Sequence, residues 1–148
     1  MIGKIKYAPG TLASLITCFV FMLLNSFTSI TFVFLILLIF FLYSLVAINY
    51  SFEIFRSDDP QEIVIDEVVG QMLPLTAIPI YETLYPLPVI YYCISSFLLF
   101  RLFDIWKPFP INYVDENIKG ALGIMLDDIV AGIYSIVVLF LVLFFVGG

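Results

Sequence analysis

Twelve carboxylates, six basic side chains and no histidine define the chemistry open to this chain. Without imidazole there is no Ser-His-Asp triad, no Cys-His dyad, no histidine-type phosphatase and no His-ligated zinc. Cys18 and Cys93 sit in apolar runs and read as free buried thiols. A cysteine phosphatase loop needs an arginine six residues after its cysteine, and those positions are Leu24 and Leu99. Carboxylates are left as the reactive groups. Four of them, Asp66, Glu67, Asp127 and Asp128, interrupt otherwise apolar stretches. A carboxylate facing lipid is costly, so these four are expected to face a cavity, a cation or one another. Glu53, Asp58, Asp59, Glu62, Asp115 and Glu116 read instead as a solvated loop face.

Four polar constellations surround these acids. In Pro9-Gly10-Thr11-Leu12-Ala13-Ser14, a Pro-Gly turn precedes Thr11 as a natural N-cap. The backbone amides there, with the Thr11 and Ser14 hydroxyls, suit an anion at the positive end of a helix. In Ile63-Val64-Ile65-Asp66-Glu67-Val68-Val69-Gly70-Gln71, adjacent acids diverge by about 100° on a helix and so serve different partners. Gly70, one turn on, permits close helix approach. In Phe100-Arg101-Leu102-Phe103-Asp104-Ile105-Trp106-Lys107-Pro108, Arg101 and Asp104 share a face, and the helix is expected to end before the proline. Two cations beside a carboxylate suit a phosphate next to a metal ion. In Gly120 to Gly132, Gly123, Asp127 and Ala131 recur every four residues, as do Asp128 and Gly132, so small residues flank each acid. Hard oxygen ligands without His or Cys favour Mg²⁺ over zinc or copper.

The elements that must position these groups follow from composition. The chain has 148 residues, 63% hydrophobic and only 12% charged, with a mean hydropathy of +1.15. Soluble domains carry about 25% charged residues, and a chain this short has no core able to hide so much apolar surface. The expected fold is therefore all-α: a single multi-pass helical membrane domain over residues 1–148, with four to five membrane helices. The spans are placed at Thr11 to about Phe27, Ile30 to Tyr50, Ile63 to Ile80, Leu87 to Phe103 and Ala121 to Val146. The third carries Pro74 and Pro79 and is expected to be short, kinked or re-entrant. The net charge of −6 argues against an electrostatic nucleic-acid binder.

Topology then follows from the bases. Lys4, Lys6, Arg56, Arg101, Lys107 and Lys119 all fall on one side of a five-helix arrangement, which the positive-inside rule makes cytoplasmic. Of the acids, only Glu82 lies in an opposite loop. Asp66, Glu67, Asp104, Asp127 and Asp128 are expected to share one layer near the inner interface. A Mg²⁺ and phosphate site there points to chemistry on a lipid headgroup.

These four stretches, as PGT at Pro9, IVIDEVVGQ at Ile63, FRLFDIWKPFPI at Phe100 and GALGIMLDDIVAG at Gly120, resemble the phosphatidylglycerophosphatase A family. They occur in the family's order and span Pro9 to Gly132. Two positions depart from the pattern: Ala13 and Ala121 stand where glycine is common, and both remain small. The resemblance implies a magnesium-dependent phosphatase of the bacterial inner membrane that hydrolyses phosphatidylglycerophosphate to phosphatidylglycerol and phosphate, with its site facing the cytoplasm.

On this reading Asp66, Asp127, Asp128 and Glu67 are the expected Mg²⁺ ligands, and Asp104 joins them among the catalytic acids. Arg101 and Lys107 are expected to neutralise the phosphate, with Thr11 and Ser14 donating to it. A carboxylate must act as general base, and Glu67 is the candidate. The rivals fit less well. Phosphatidyl transfer from a CDP-lipid needs a DGxxAR stretch that is absent. An ion or proton pathway predicts polar residues through the membrane thickness. A structural subunit leaves four intramembrane acids unexplained.

Overall fold

The computed structural model describes residues 9–25, 29–55 and 64–147, with side chains described throughout except at 51–55. Lys4, Lys6, Arg56, Asp58, Asp59, Glu62 and Ile63 lie outside the described residues, as does the side chain of Glu53. Among the described residues there are seven helices and no strand: α1 (Pro9–Asn25), α2 (Ile30–Phe55), α3 (Ile65–Thr76), α4 (Ile78–Leu84), α5 (Val89–Trp106), α6 (Ile111–Asn117) and α7 (Gly120–Gly147).

Among the described residues, three stretches have the length and apolar character to cross a membrane: Ile30–Tyr50, Val89–Trp106 and Gly120–Gly147. The most apolar window of α2 has a hydropathy of 2.8, yet only 11% of it is buried in the protein. A helix apolar on all sides and so little covered by its own chain has the character of a membrane helix. α1 is also apolar, but with 17 residues it stands at the short limit of a span.

The expected third span is broken. Ala77, in right-handed helical conformation, separates α3 from α4. Pro74 lies inside α3 and Pro79 within the first turn of α4. Each proline removes one backbone donor, and the helix gives way between them. The start of α1 also differs from expectation. Pro9 and Gly10 are its first two residues rather than a preceding turn, so Thr11 is not an N-cap. Proline is at home there because its missing N–H is one that a first turn leaves unpaired in any case. α6 is a further element, lying in the connection after α5.

α3 is the hub. It packs most extensively on α7 and also meets α1, α2 and α5. Two glycines make this possible. A Cβ on Gly132 would stand 2.8 Å from the Gly70 carbonyl oxygen, and one on Gly70 would stand 2.9 Å from the Asp128 Cβ and 2.8 Å from the Phe100 ring. Backbones in such contact put the acids of α3 and α7 side by side. Cys18 and Cys93 are free and buried, as expected, in an apolar cluster with Leu75, Tyr81 and Tyr92.

Candidate active site

The polar groups gather at one end of the bundle, where α1, α3 and α7 begin and α5 ends. α3 brings Asp66 and Glu67 in its first turn. α7 brings Asp127 and Asp128, which are 7% and 3% exposed. α5 brings Arg101 and Asp104 one turn apart, and its C-cap is Lys107. Asp128 lies within electrostatic reach of Asp66, Asp104 and Asp127, and Glu67 within reach of Arg101, Asp104 and Asp127. All five expected acids therefore share one cluster.

The two cations are already engaged. Arg101 Nη1 stands 2.8 Å from Asp104 Oδ2 and 3.6 Å from Glu67 Oε1. Neither contact is a hydrogen bond, so Nη1 and Nε keep unmet donors. Lys107 Nζ donates to Asp127 Oδ2 at 2.7 Å and to Asp115 Oδ1 at 2.8 Å. Burial lowers the Lys107 pKa, but the hydrogen bonds and charges of Asp115 and Asp127 outweigh it and leave the ammonium above its ordinary value. The Lys107 backbone is left-handed, with φ 46° and ψ 58°, and its N–H donates to the Phe103 carbonyl at 2.8 Å. That conformation usually falls to glycine. A lysine held in it turns its ammonium back toward α7, a backbone outlier at the place where chemistry is concentrated.

The acids divide into two kinds. Both oxygens of Asp127 are engaged: Oδ1 accepts the Asp128 amide at 3.0 Å while Oδ2 accepts Lys107. Asp66 Oδ1, Glu67 Oε2 and Asp128 Oδ2 are buried without a hydrogen-bond partner. The first turn of α1 lies directly over Glu67, since a Cβ on Gly10 would fall 1.5 Å from Glu67 Oε2. The expected anion-binding end of α1 thus faces a protein carboxylate. Thr11 is half-buried in that turn, and Ser14, one turn in, is fully buried with its hydroxyl unpaired.

The model of the family described as phosphatidylglycerophosphatase A matches residues 1–143. The chain belongs to the phosphatidylglycerophosphatase A family. A Haemophilus influenzae phosphatidylglycerophosphatase A is 35% identical over 138 residues, covering 93% of this chain and 80% of that protein. An Escherichia coli phosphatidylglycerophosphatase A is 38% identical over 84 residues, covering 57% of this chain and 45% of that protein. A Bacteroides thetaiotaomicron protein with the provisional description phosphatidylinositol-3-phosphatase is 36% identical over 141 residues, covering 93% of this chain and 84% of that protein. No solved structure matches.

Membership of this family frames the test of a cation site. Six acids, Asp66, Glu67, Asp104, Asp115, Asp127 and Asp128, meet two cations, Arg101 and Lys107, a surplus of four negative charges when all are ionised. Among the described residues no three acids are already gathered at metal-ligand spacing. In donor type the site fits a hard divalent cation: Asp66, Glu67 and Asp128 each offer it a buried carboxylate oxygen with no other partner. Sequence reasoning missed two participants. Asp115, read as a solvated loop residue, holds Lys107 from α6. Gln71, one turn beyond Glu67, is fully buried with both amide atoms unpaired. Its only signal was a polar side chain inside an apolar helix.

Proposed function

We propose that this chain hydrolyses the terminal phosphate monoester of phosphatidylglycerophosphate at the cytoplasmic face of a bacterial inner membrane, giving phosphatidylglycerol and inorganic phosphate, with Mg²⁺ as cofactor. The single observation that carries this reading is the cluster of Asp66, Glu67 and Asp128 oxygens left unpaired beside Arg101 in a chain of this family. Asp66, Glu67 and Asp128 would hold the cation, with Asp127 adjoining. When bound, Mg²⁺ supplies Lewis-acid polarisation of the phosphoryl group. Arg101, with donors to spare, neutralises the phosphate oxygens. Lys107 fixes Asp127 and adds positive charge at the same edge. Glu67 takes a proton from the attacking water. The water oxygen bonds to phosphorus, the phosphorus–oxygen ester bond breaks, and the departing glycerol oxygen takes up the proton that Glu67 accepted.

A lipid substrate is supported by the surroundings. An apolar groove of about 350 Å³ between α1, α2 and α3 includes Val68, the neighbour of Glu67, and Ala13, the neighbour of Ser14. Arg101 and Lys107 at the end of α5 and Lys119 before α7 stand at the same end as the acids, and the positive-inside rule supports a cytoplasmic face for that end. The test is phosphate release in mixed micelles by the purified chain, with phosphatidylglycerophosphate and phosphatidylinositol-3-phosphate offered separately. Faster turnover of the glycerol lipid is expected. Release from the inositol lipid alone, or from neither, would overturn the assignment.

A further inference from the structure

Beneath the acids lies a second polar layer that the proposed chemistry leaves unused. Its position follows from helix register. At the level of the acids, Gly10 of α1 touches Glu67 of α3, which faces Arg101 of α5. Deeper in the bundle, the Cys18 thiol of α1 lies 3.8 Å from the Cys93 carbonyl oxygen of α5. Cys18 is eight residues beyond Gly10, and Cys93 eight residues before Arg101. The two helices therefore run antiparallel in matched register over about 12 Å, at 1.5 Å per residue. Ser14 and Gln71 each lie one turn beyond their counterparts at the acid level, and Ser96 lies between Arg101 and Cys93. All three side chains are 0% exposed.

None of their polar atoms is paired: Ser14 Oγ, Gln71 Oε1, Gln71 Nε2 and Ser96 Oγ have no hydrogen-bond partner. Other buried hydroxyls of this bundle are satisfied locally. Thr17 donates to Ala13, Ser44 to Phe40 and Ser135 to Ala131, each to the carbonyl one turn back. Ser14 and Ser96 do not form this bond. Buried polar groups are paired in folded proteins because an unmet one costs more than the bond itself stabilises. The amide of Gln71 has two donors and two acceptor sites, and each serine both donates and accepts. No charged side chain belongs to the layer, so its fitting ligand is neutral and both gives and takes hydrogen bonds.

We infer that Ser14, Gln71 and Ser96 form a binding site for a neutral hydroxyl oxygen, one helical turn toward the bilayer from the acids. The hydroxyl comes from ordered water or from the glycerol of the lipid headgroup. The second source rests on the proposed substrate, whose free hydroxyl lies between its two phosphates and so on the membrane side of the terminal one. The first does not depend on it.

The test uses Gln71→Met in the full chain in detergent, a change that keeps length and removes hydrogen bonding. A satisfied Gln71 makes the variant melt several degrees lower. An unsatisfied one makes it melt at the wild-type temperature or higher; that result excludes resident water and, joined to equal turnover of both lipids in the kinetic arm that follows, overturns the site. Ser96→Ala, which deletes one oxygen, repeats the comparison with little change of volume. With resident water it should melt lower as well, and an unchanged or raised melting temperature would count against water. A kinetic arm then separates the two sources. If wild type prefers phosphatidylglycerophosphate over its 2-deoxyglycerol analogue by about tenfold and Gln71→Met loses that preference, the ligand is the glycerol hydroxyl. Equal turnover of both lipids with the lowered melting temperature assigns water. If wild type hydrolyses neither lipid, the proposed function fails while the melting comparison still decides the site.

Discussion

Lys107 and its two carboxylates show how one side chain divides structural from chemical work. Its partner Asp115 has a side chain 48% exposed, whereas that of Asp127 is 9% exposed. Exposed ion pairs are worth about 0–1 kcal/mol, so Asp115→Asn should leave both melting temperature and turnover near wild type. Asp127→Asn weakens the buried contact beside Asp128 and should lower kcat by about a hundredfold or more, a size typical of losing a group that orders charge at a reacting centre. Parallel thermal melts and phosphate-release assays on the two variants check this contrast. Lys107 also makes a pH statement. Its pKa is raised above the ordinary 10.5, so its stabilisation is fully present below that value and is lost only as pH rises through the higher folded value. The stability difference between wild type and Lys107→Met should therefore not vary with pH from the point at which Asp115 and Asp127 are both ionised up to 10.5. A difference that shrinks between neutral pH and that value would contradict the ion-pair geometry.

Two glycines at the level of helix packing make opposite predictions, although both lie against site acids. A Cβ on Gly10 collides with the carboxylate of Glu67, the free end of a flexible side chain. A Cβ on Gly70 collides with the Phe100 ring and the Asp128 Cβ, which are held by the core. Gly10→Ala should therefore displace Glu67 and cut activity with little change in melting temperature. Gly70→Ala should lower stability by about 1–3 kcal/mol, the usual cost of overpacking. Denaturation and turnover measured on both variants test the distinction. These elements were legible in the sequence to different depths. The apolar runs placed α2, α5 and α7 within a few residues, because composition alone marks such helices. The prolines announced a weak third helix, but the break at Ala77 depends on which of the freed backbone groups find partners, and no local pattern states that. Pro9 looked like a turn because Pro-Gly is ambiguous between a turn and a first helical turn.

For the molecule as a whole, the clustering of acids was legible because carboxylates that interrupt apolar helices have few places to go. Their pairing was not. Lys107 meets Asp115 eight residues on and Asp127 twenty residues on, contacts set by the packing of α5, α6 and α7 rather than by any spacing along one helix. Gln71 stands in the Ile63 to Gln71 stretch but has no role assignable from sequence for a related reason: an amide is unremarkable until its burial is known. Three helices have the length and character to cross the bilayer, and the acids lie where two of them, α5 and α7, meet α3 and the first turn of α1. This arrangement sets a charged layer at one end of an otherwise apolar bundle, near an apolar groove between α1, α2 and α3. The central claim is that Asp128, buried with an unpaired oxygen among the other acids, belongs to a Mg²⁺-dependent phosphatase site. It is tested most directly by phosphate release from phosphatidylglycerophosphate with Mg²⁺ and with chelator, comparing wild type and Asp128→Asn. The account predicts release by wild type that chelation abolishes and that the variant lacks while keeping a wild-type melting profile or better. Chelator-insensitive release, or near-normal turnover by Asp128→Asn, would contradict it.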